Sequence, residues 1–243
     1  FIKPMNVINI IDRLDYVNYG IWNSAISTVR ILLEKYGIQS YLLYSTGELN
    51  EIINKNTLLK IKLIDETLPS YITSPEDTII VSHGCWRQPT RLAYHLFKKG
   101  YKWVYSPHGM LENWSMKQKW LRKKIYYEII EKPLSKNANI VRAVSLPEMI
   151  NLKKVYSNVV LIPNGHQTIE FVQKNWNDKP WKFVFLGRLH FKKGVVPLIR
   201  AWKKSTLNNN HEYELIIAGP DDGELKKVLD EIYDGKTKNI TYV

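Results

Sequence analysis

Arg188 and Lys193 stand in the segment of this sequence best suited to chemistry, Phe185-Leu186-Gly187-Arg188-Leu189-His190-Phe191-Lys192-Lys193-Gly194. A hydrophobic strand runs into a loop with glycine at both ends, and a helix is expected over 194–204. Gly187 lets the backbone approach a ligand closely. The helix start would point free N–H groups at that ligand. Arg188 can grip a phosphate with two parallel hydrogen bonds, and Lys193 adds a point charge. Together they suit a diphosphate, and in a transferase they would stabilise a departing nucleoside diphosphate. The bland alternative is a solvated basic turn.

Two histidines close strands in turns of similar make-up: Ser82-His83-Gly84-Cys85-Trp86 and Ser106-Pro107-His108-Gly109. A neutral imidazole can donate or accept a hydrogen bond. At a strand end between proline and glycine, His108 reads as a cleft residue or as part of a structural turn, and His83 as a turn-stabilising residue or a second site residue. Cys85 is the only cysteine, so no intrachain disulfide can form, and it reads as a small buried hydrophobe. His190 reads as a solvated loop residue. Asp12, Asp15 and Glu112 read as caps and turns that could also reach an acceptor hydroxyl.

The segment 114–131 is strongly basic. Lys117, Lys119, Arg122, Lys123 and Lys124 lie with no acid among them, and Trp114, Leu121, Ile125 and Ile129 share one face of a single long helix. Such a helix can lie on anionic lipid, or pack its apolar face on the sheet and solvate the rest. Nucleic-acid binding would use the same residue types, but nothing else supports it and no nucleic-acid partner is expected.

The elements that must position these residues alternate. Strands are expected at 7–11, 40–44, 61–64, 78–82, 102–106, 140–144 and 159–162, with helices at 22–36, 89–99 and 146–156 between them. Ser145-Leu146-Pro147-Glu148 combines a capping box with proline in the first turn. Residues 166–180 read as a linker. A second series follows: strand 182–186, helix 194–204, strand 214–218, helix 222–233, strand 239–243. This alternation predicts parallel sheets with helices on both faces, and ligands then bind outside the carboxyl ends of the strands. The second series has three strands, which suggests an incomplete domain.

The chain has 243 residues and 44% hydrophobic composition, an ordinary globular balance. No apolar run is long enough to span a bilayer, and a cytoplasmic protein is the expectation, with the basic segment as a site for peripheral attachment to the inner face of the plasma membrane. Net charge is +12. Residues 1–174 carry 23 Lys+Arg against 14 Asp+Glu, and 175–243 carry 12 against 9. The excess suggests an anionic partner. No zinc-ligand spacing and no Asp-x-Asp pair occurs, so no metal or resident cofactor is expected.

Phe185–Gly194, followed about 30 residues later by Ile217-Ala218-Gly219-Pro220, resembles the donor domain of family 4 glycosyltransferases. Ser106-Pro107-His108-Gly109-Met110-Leu111 resembles a turn of their first domain, and Ile162-Pro163-Asn164-Gly165 their interdomain junction. The resemblance implies an α/β, GT-B type fold of two Rossmann-like domains, 1–174 on the acceptor side and 175–243 a partial nucleotide-sugar domain. It implies retaining transfer of a sugar from a nucleoside-diphosphate sugar to a saccharide or lipid-linked saccharide, in cell-surface polysaccharide or lipopolysaccharide synthesis. Arg188 and Lys193 would bind the diphosphate. His108 would sit in the interdomain cleft and bond the transferred sugar. Gly20 would lie in the loop after the first strand near the donor phosphates, although Tyr19 stands where the family usually has a second glycine. Gly219 and Pro220 would shape the nucleotide pocket. The family's paired acidic motif, two glutamates eight positions apart, has no match after Lys193. The alternative is a non-catalytic fragment that binds a nucleotide or anionic glycan.

Overall fold

The computed structural model describes residues 5–15, 18–47, 60–63 (backbone only), 74–117, 119–165 and 177–243. The chain divides into two compact units, Phe1–Ile169 and Glu170–Val243. Most of the expected linker lies outside the described residues.

The first unit is built on seven parallel strands: β1 (Asn6–Leu14), β2 (Gln39–Gly47), β3 (Lys60–Leu63), β4 (Thr78–His83), β5 (Lys102–Ser106), β6 (Ile140–Ala143) and β7 (Val159–Leu161). Their order is β3-β2-β1-β4-β5-β6-β7. β1 is central because it is apolar on both faces, as a parallel strand covered by helices must be. Ile8 and Ile10 enter one core with Ile80, Trp103 and Tyr105. Ile11 and Leu14 enter another with Trp22, Ala25 and Val29. Strand progression reverses between β1 and β4, which opens a crevice beyond their carboxyl ends.

Two expected helical segments are broken. The helix over 22–36 is two helices, α1 (Tyr19–Ile26) and α2 (Val29–Tyr36). Ser27 and Thr28 separate them, residue types whose hydroxyls compete with the helix for backbone groups. Gly20 therefore lies in the first turn of α1 rather than in a loop. The segment 114–131 is broken too, into α4 (Asn113–Lys117) and α5 (Trp120–Tyr126), where Lys119 is left-handed with φ 51°. Trp114 consequently does not share a helix with Leu121, Ile125 and Ile129. α5 continues through a π-turn, Tyr127–Glu131, into α6 (Lys132–Ser135). Pro133 cannot donate to the preceding turn and crowds it, and the widened turn accommodates both. α3 (Gln88–Lys98) sits close to expectation, and α7 (Leu146–Leu152) starts where expected and ends four residues short of 156.

The second unit has three parallel strands, β8 (Trp181–Leu186), β9 (Tyr213–Ala218) and β10 (Ile240–Tyr242), in the order β10-β9-β8. Helices α8 (Val195–Lys204) and α9 (Leu225–Ile232) supply Val195, Ile199, Val228 and Ile232 to a core with Leu215 and Ile217. The α/β architecture on parallel, Rossmann-like sheets is the one expected from the sequence.

Candidate functional site

Unit 1 gathers its chemistry at the β1/β4 crevice. A cavity of about 350 Å³ lies there, lined among others by Asp12, Asn18, His83, Trp86, Arg87 and Met110. His83 ends β4, and His108 follows β5 in the left-handed region, φ 54°. Left-handed backbone away from glycine carries strain and collects at functional sites. His83 Nδ1 and His108 Nε2 are 2.9 Å apart, and His83 Nε2 is 2.9 Å from Asn9 Oδ1.

With Asn9 Oδ1 facing the ring as the acceptor, the hydrogen-bond pattern assigns the tautomers: His83 carries its proton on Nε2. Its Nδ1 is then bare and accepts from His108 Nε2–H. His108 is left with a bare Nδ1, an acceptor for an incoming hydroxyl. Burial holds both imidazoles neutral. His108 is lowered to about 3, by burial first and the Arg142 charge second. His83 is well below its ordinary value, through burial and then the neighbouring His108 and Arg142.

Neutral burial has a consequence for stability. The unfolded chain protonates these histidines near pH 6.5, while the folded chain resists down to the lowered value. Below about 6.5 the unfolded state binds more protons, so stability falls as pH falls, at up to about 1.4 kcal/mol per pH unit for each histidine. Urea unfolding between about pH 6.5 and about pH 4 should show this slope. His108→Asn, which tolerates the left-handed backbone, should flatten it, and an unchanged slope would contradict the buried neutral pair.

Two buried carboxylates hold the turns that carry the histidines. Glu131, 0% exposed, accepts from Trp86 N (3.1 Å), Thr90 Oγ1 (2.6 Å) and Tyr105 OH (2.9 Å). It fixes the turn after His83, where Trp86 is also left-handed. Glu148 accepts from Gly109 N (2.5 Å) and Val144 N (2.8 Å). The capping box is thus half formed. Ser145 Oγ accepts from Glu148 N at 3.3 Å, while the carboxylate leaves the helix to anchor the turn after His108. Arg142 donates to Ile162 O, Pro163 O and Asn164 Oδ1, tying the Pro163-Asn164-Gly165 segment to β6. Asp15 closes the turn before α1, its Oδ1 accepting from Asn18 N and Nδ2. Cys85 is buried, and burial pushes its thiol well up.

Gly20 sits in the first turn of α1 and not in the expected loop. Its backbone is ordinary helix, and a Cβ there would meet nothing within 4 Å. Glycine is required there by neither backbone nor neighbours.

In unit 2, Gly187–Gly194 is stitched down by its own amides. Gly187 N donates to Ala218 O, Leu189 N to Pro220 O, His190 N to Arg188 O, Lys193 N to His190 O and Gly194 N to Phe191 O. Lys192 N donates to His190 Nδ1, so His190 serves the loop. A one-turn 3₁₀ helix, Phe191–Lys193, precedes left-handed Gly194, and α8 starts at Val195. Six of the loop amides are therefore spent internally, and Pro197 removes one donor from the first turn of α8. Side chains are then a large part of what can grip an anion here. Lys193 is exposed. Arg188 is 45% exposed and its Nη1 bonds Asp222 Oδ2 at 2.9 Å, which leaves the other guanidinium donors for a ligand. Gly219 and Pro220 pair with this loop from below.

Residues 166–239 match the family model of glycosyl transferases group 1. That stretch includes Gly187–Gly194 and Gly219–Pro220, and is under half of the chain. Among curated proteins none matches the chain in sequence. Among solved structures, HepE of Anabaena in complex with UDP and glucose is similar in fold, with TM-score 0.66 and 13% identity over 98% of this chain and 69% of that one. A glycosyltransferase from Rickettsia africae gives TM-score 0.64 and 16% identity over 99% and 68%. A UDP-GlcNAc 2-epimerase from Neisseria meningitidis, bound to UDP-GlcNAc, gives 0.51 and 11% over 98% and 72%. At these identities the likeness is one of fold.

Sequence reasoning missed Asn9, Glu131, Arg142 and the outward reach of Glu148. Only Glu148 left a signal, its place in a capping box. The basic residues Lys117, Lys119, Arg122, Lys123 and Lys124 lie on α4, α5 and the break between them. Lys123 is drawn inward, its Nζ bonded to Ser115 O at 2.7 Å and set over the Trp86 ring.

Proposed function

We propose that the protein transfers a sugar, with retention, from a nucleoside-diphosphate sugar to a saccharide or lipid-linked saccharide acceptor, in the making of a cell-surface polysaccharide or lipopolysaccharide. The observation that carries this reading is the family match over 166–239, because it falls on the loop whose cationic groups, Arg188 and Lys193, suit a diphosphate. The fold alone does not choose, since an epimerase shares it.

In this reading Arg188 and Lys193 bind the diphosphate and offset its charge as it leaves. Asp222 holds the guanidinium in place. His108 accepts a hydrogen bond from a hydroxyl of the transferred sugar through Nδ1, its tautomer matched to His83 and Asn9. Because both histidines stay neutral, neither contributes a step near pH 6.5 to the pH dependence.

The test is a thermal-shift screen of the protein with UDP, GDP and their sugars, followed by turnover of whichever sugar nucleotide binds. Stabilisation by one nucleotide family, lost in Arg188→Ala, is the expected result. Tight nucleotide binding without turnover would favour a binding module, and no stabilisation by any nucleotide would remove the reading.

A further inference from the structure

On α5 and the turn that follows it, the apolar stripe points to solvent. Trp120, Leu121, Ile125 and Ile129 are 58%, 55%, 51% and 69% exposed. A surface helix normally turns its apolar stripe to the core, and a contiguous exposed one marks an interaction site. Beside the stripe lies a cavity of about 510 Å³, walled by Leu111, Met116, Trp120, Leu152 and Val155. Its volume is in the range of small-molecule sites. Lys117, Lys124 and Lys154 also line it, against one acid, Glu128. Glu128 is already bonded to Lys132 Nζ at 2.7 Å. The groove thus combines hydrocarbon walls with positive charge that no acid of its own offsets.

We propose that this groove seats one hydrocarbon chain of an anionic phospholipid from a membrane leaflet. Lys117, Lys124 and Lys154 surround the lipid phosphate. Leu121 and Ile125, about 100° round the helix from Trp120 and Lys124, dip into the interface alongside. Charge and chemistry select this occupant. A protein partner would need about one hydrogen bond per 100–200 Å², whereas the groove wall is mostly hydrocarbon and its charge is three ammonium groups against one carboxylate already paired with Lys132. Asn151, which also lines it, spends its Nδ2 on Leu111 O at 3.2 Å. Trp120 at an exposed edge beside lysines and large aliphatics is the composition of an interfacial helix. The inference does not depend on the transferase reading, and its test uses no sugar nucleotide.

The intact chain is mixed with vesicles of phosphatidylglycerol in phosphatidylcholine, or of phosphatidylcholine alone, and sedimented. It should bind the anionic vesicles and not the neutral ones. Lys117→Gln/Lys124→Gln/Lys154→Gln should weaken binding roughly 100-fold, at about 1 kcal/mol per lysine beside an anionic surface. Lys119→Gln/Arg122→Gln, off the groove, should cost less than the triple change. All five side chains are exposed, so the variants should fold, and circular dichroism checks that they do. Phosphatidylglycerol brominated on its acyl chain should quench Trp fluorescence, and Trp120→Phe should remove most of that quenching. Equal binding to neutral vesicles, an unaffected triple variant, or binding without quenching of Trp120 would each overturn the proposal.

Discussion

Arg188→Ala should lower kcat/KM for sugar transfer roughly 100- to 1,000-fold, the cost of removing one preorganised donor to charge that develops in the transition state. The loop around it explains why one side chain can matter this much. Its backbone amides at 187, 189, 190, 193 and 194 are committed to carbonyls of the same unit, so they cannot replace a lost guanidinium. Arg188→Lys should recover little, because a point charge does not reproduce a planar fork. Asp222→Asn should have a smaller effect, since an exposed ion pair contributes little by itself and its use here is orientation. Steady-state kinetics with the sugar nucleotide found by thermal shift would measure all three. If Arg188→Ala left kcat/KM unchanged, the diphosphate role would be withdrawn.

Gly219→Ala should destabilise the second unit by about 3–5 kcal/mol, combining backbone strain with overpacking. Gly219 has φ 146°, and a Cβ there would lie 2.7 Å from the Gly187 carbonyl carbon, with the carbonyl oxygen nearer still. Neither backbone can yield cheaply, because Gly187 N is bonded to Ala218 O and Leu189 N to Pro220 O. The change should therefore also displace Arg188 and weaken nucleotide binding. Gly20→Ala is the contrast: its site is open and helical, so folding should be unchanged or slightly favoured by Ala's helix propensity. Urea unfolding of both variants distinguishes them, and equal stabilities would refute the close approach of the two backbones.

Much of the fold could be read from local pattern. β5 was expected over 102–106 and lies at Lys102–Ser106, since a short buried strand between Gly100 and Pro107 leaves little freedom. Gly37 closes α2 in the left-handed region, φ 65°, where glycine bears no steric cost. Breaks inside helices were less legible. Lys119 in the left-handed region and the π-turn before Pro133 depend on where the flanking helices must pack, and periodicity averages over such single residues.

The candidate site divides the same way. By itself, the sequence determined which strand ends carry histidines, where two cations meet a glycine-bounded loop, and that the sheets are parallel. These are properties of residue type and near-neighbour spacing. Only the tertiary structure decided that His83 and His108 touch, that Asn9 sets their tautomers, and that Glu131 and Glu148 hold their turns. Those contacts join residues 25 to 74 positions apart, and the side chains meet because parallel strand pairing brings the ends of β1, β4 and β5 to one edge. The same cause made Gly219 a point of close backbone contact, since its neighbour across β8 and β9 is a glycine 32 residues earlier, unseen until the strands pair.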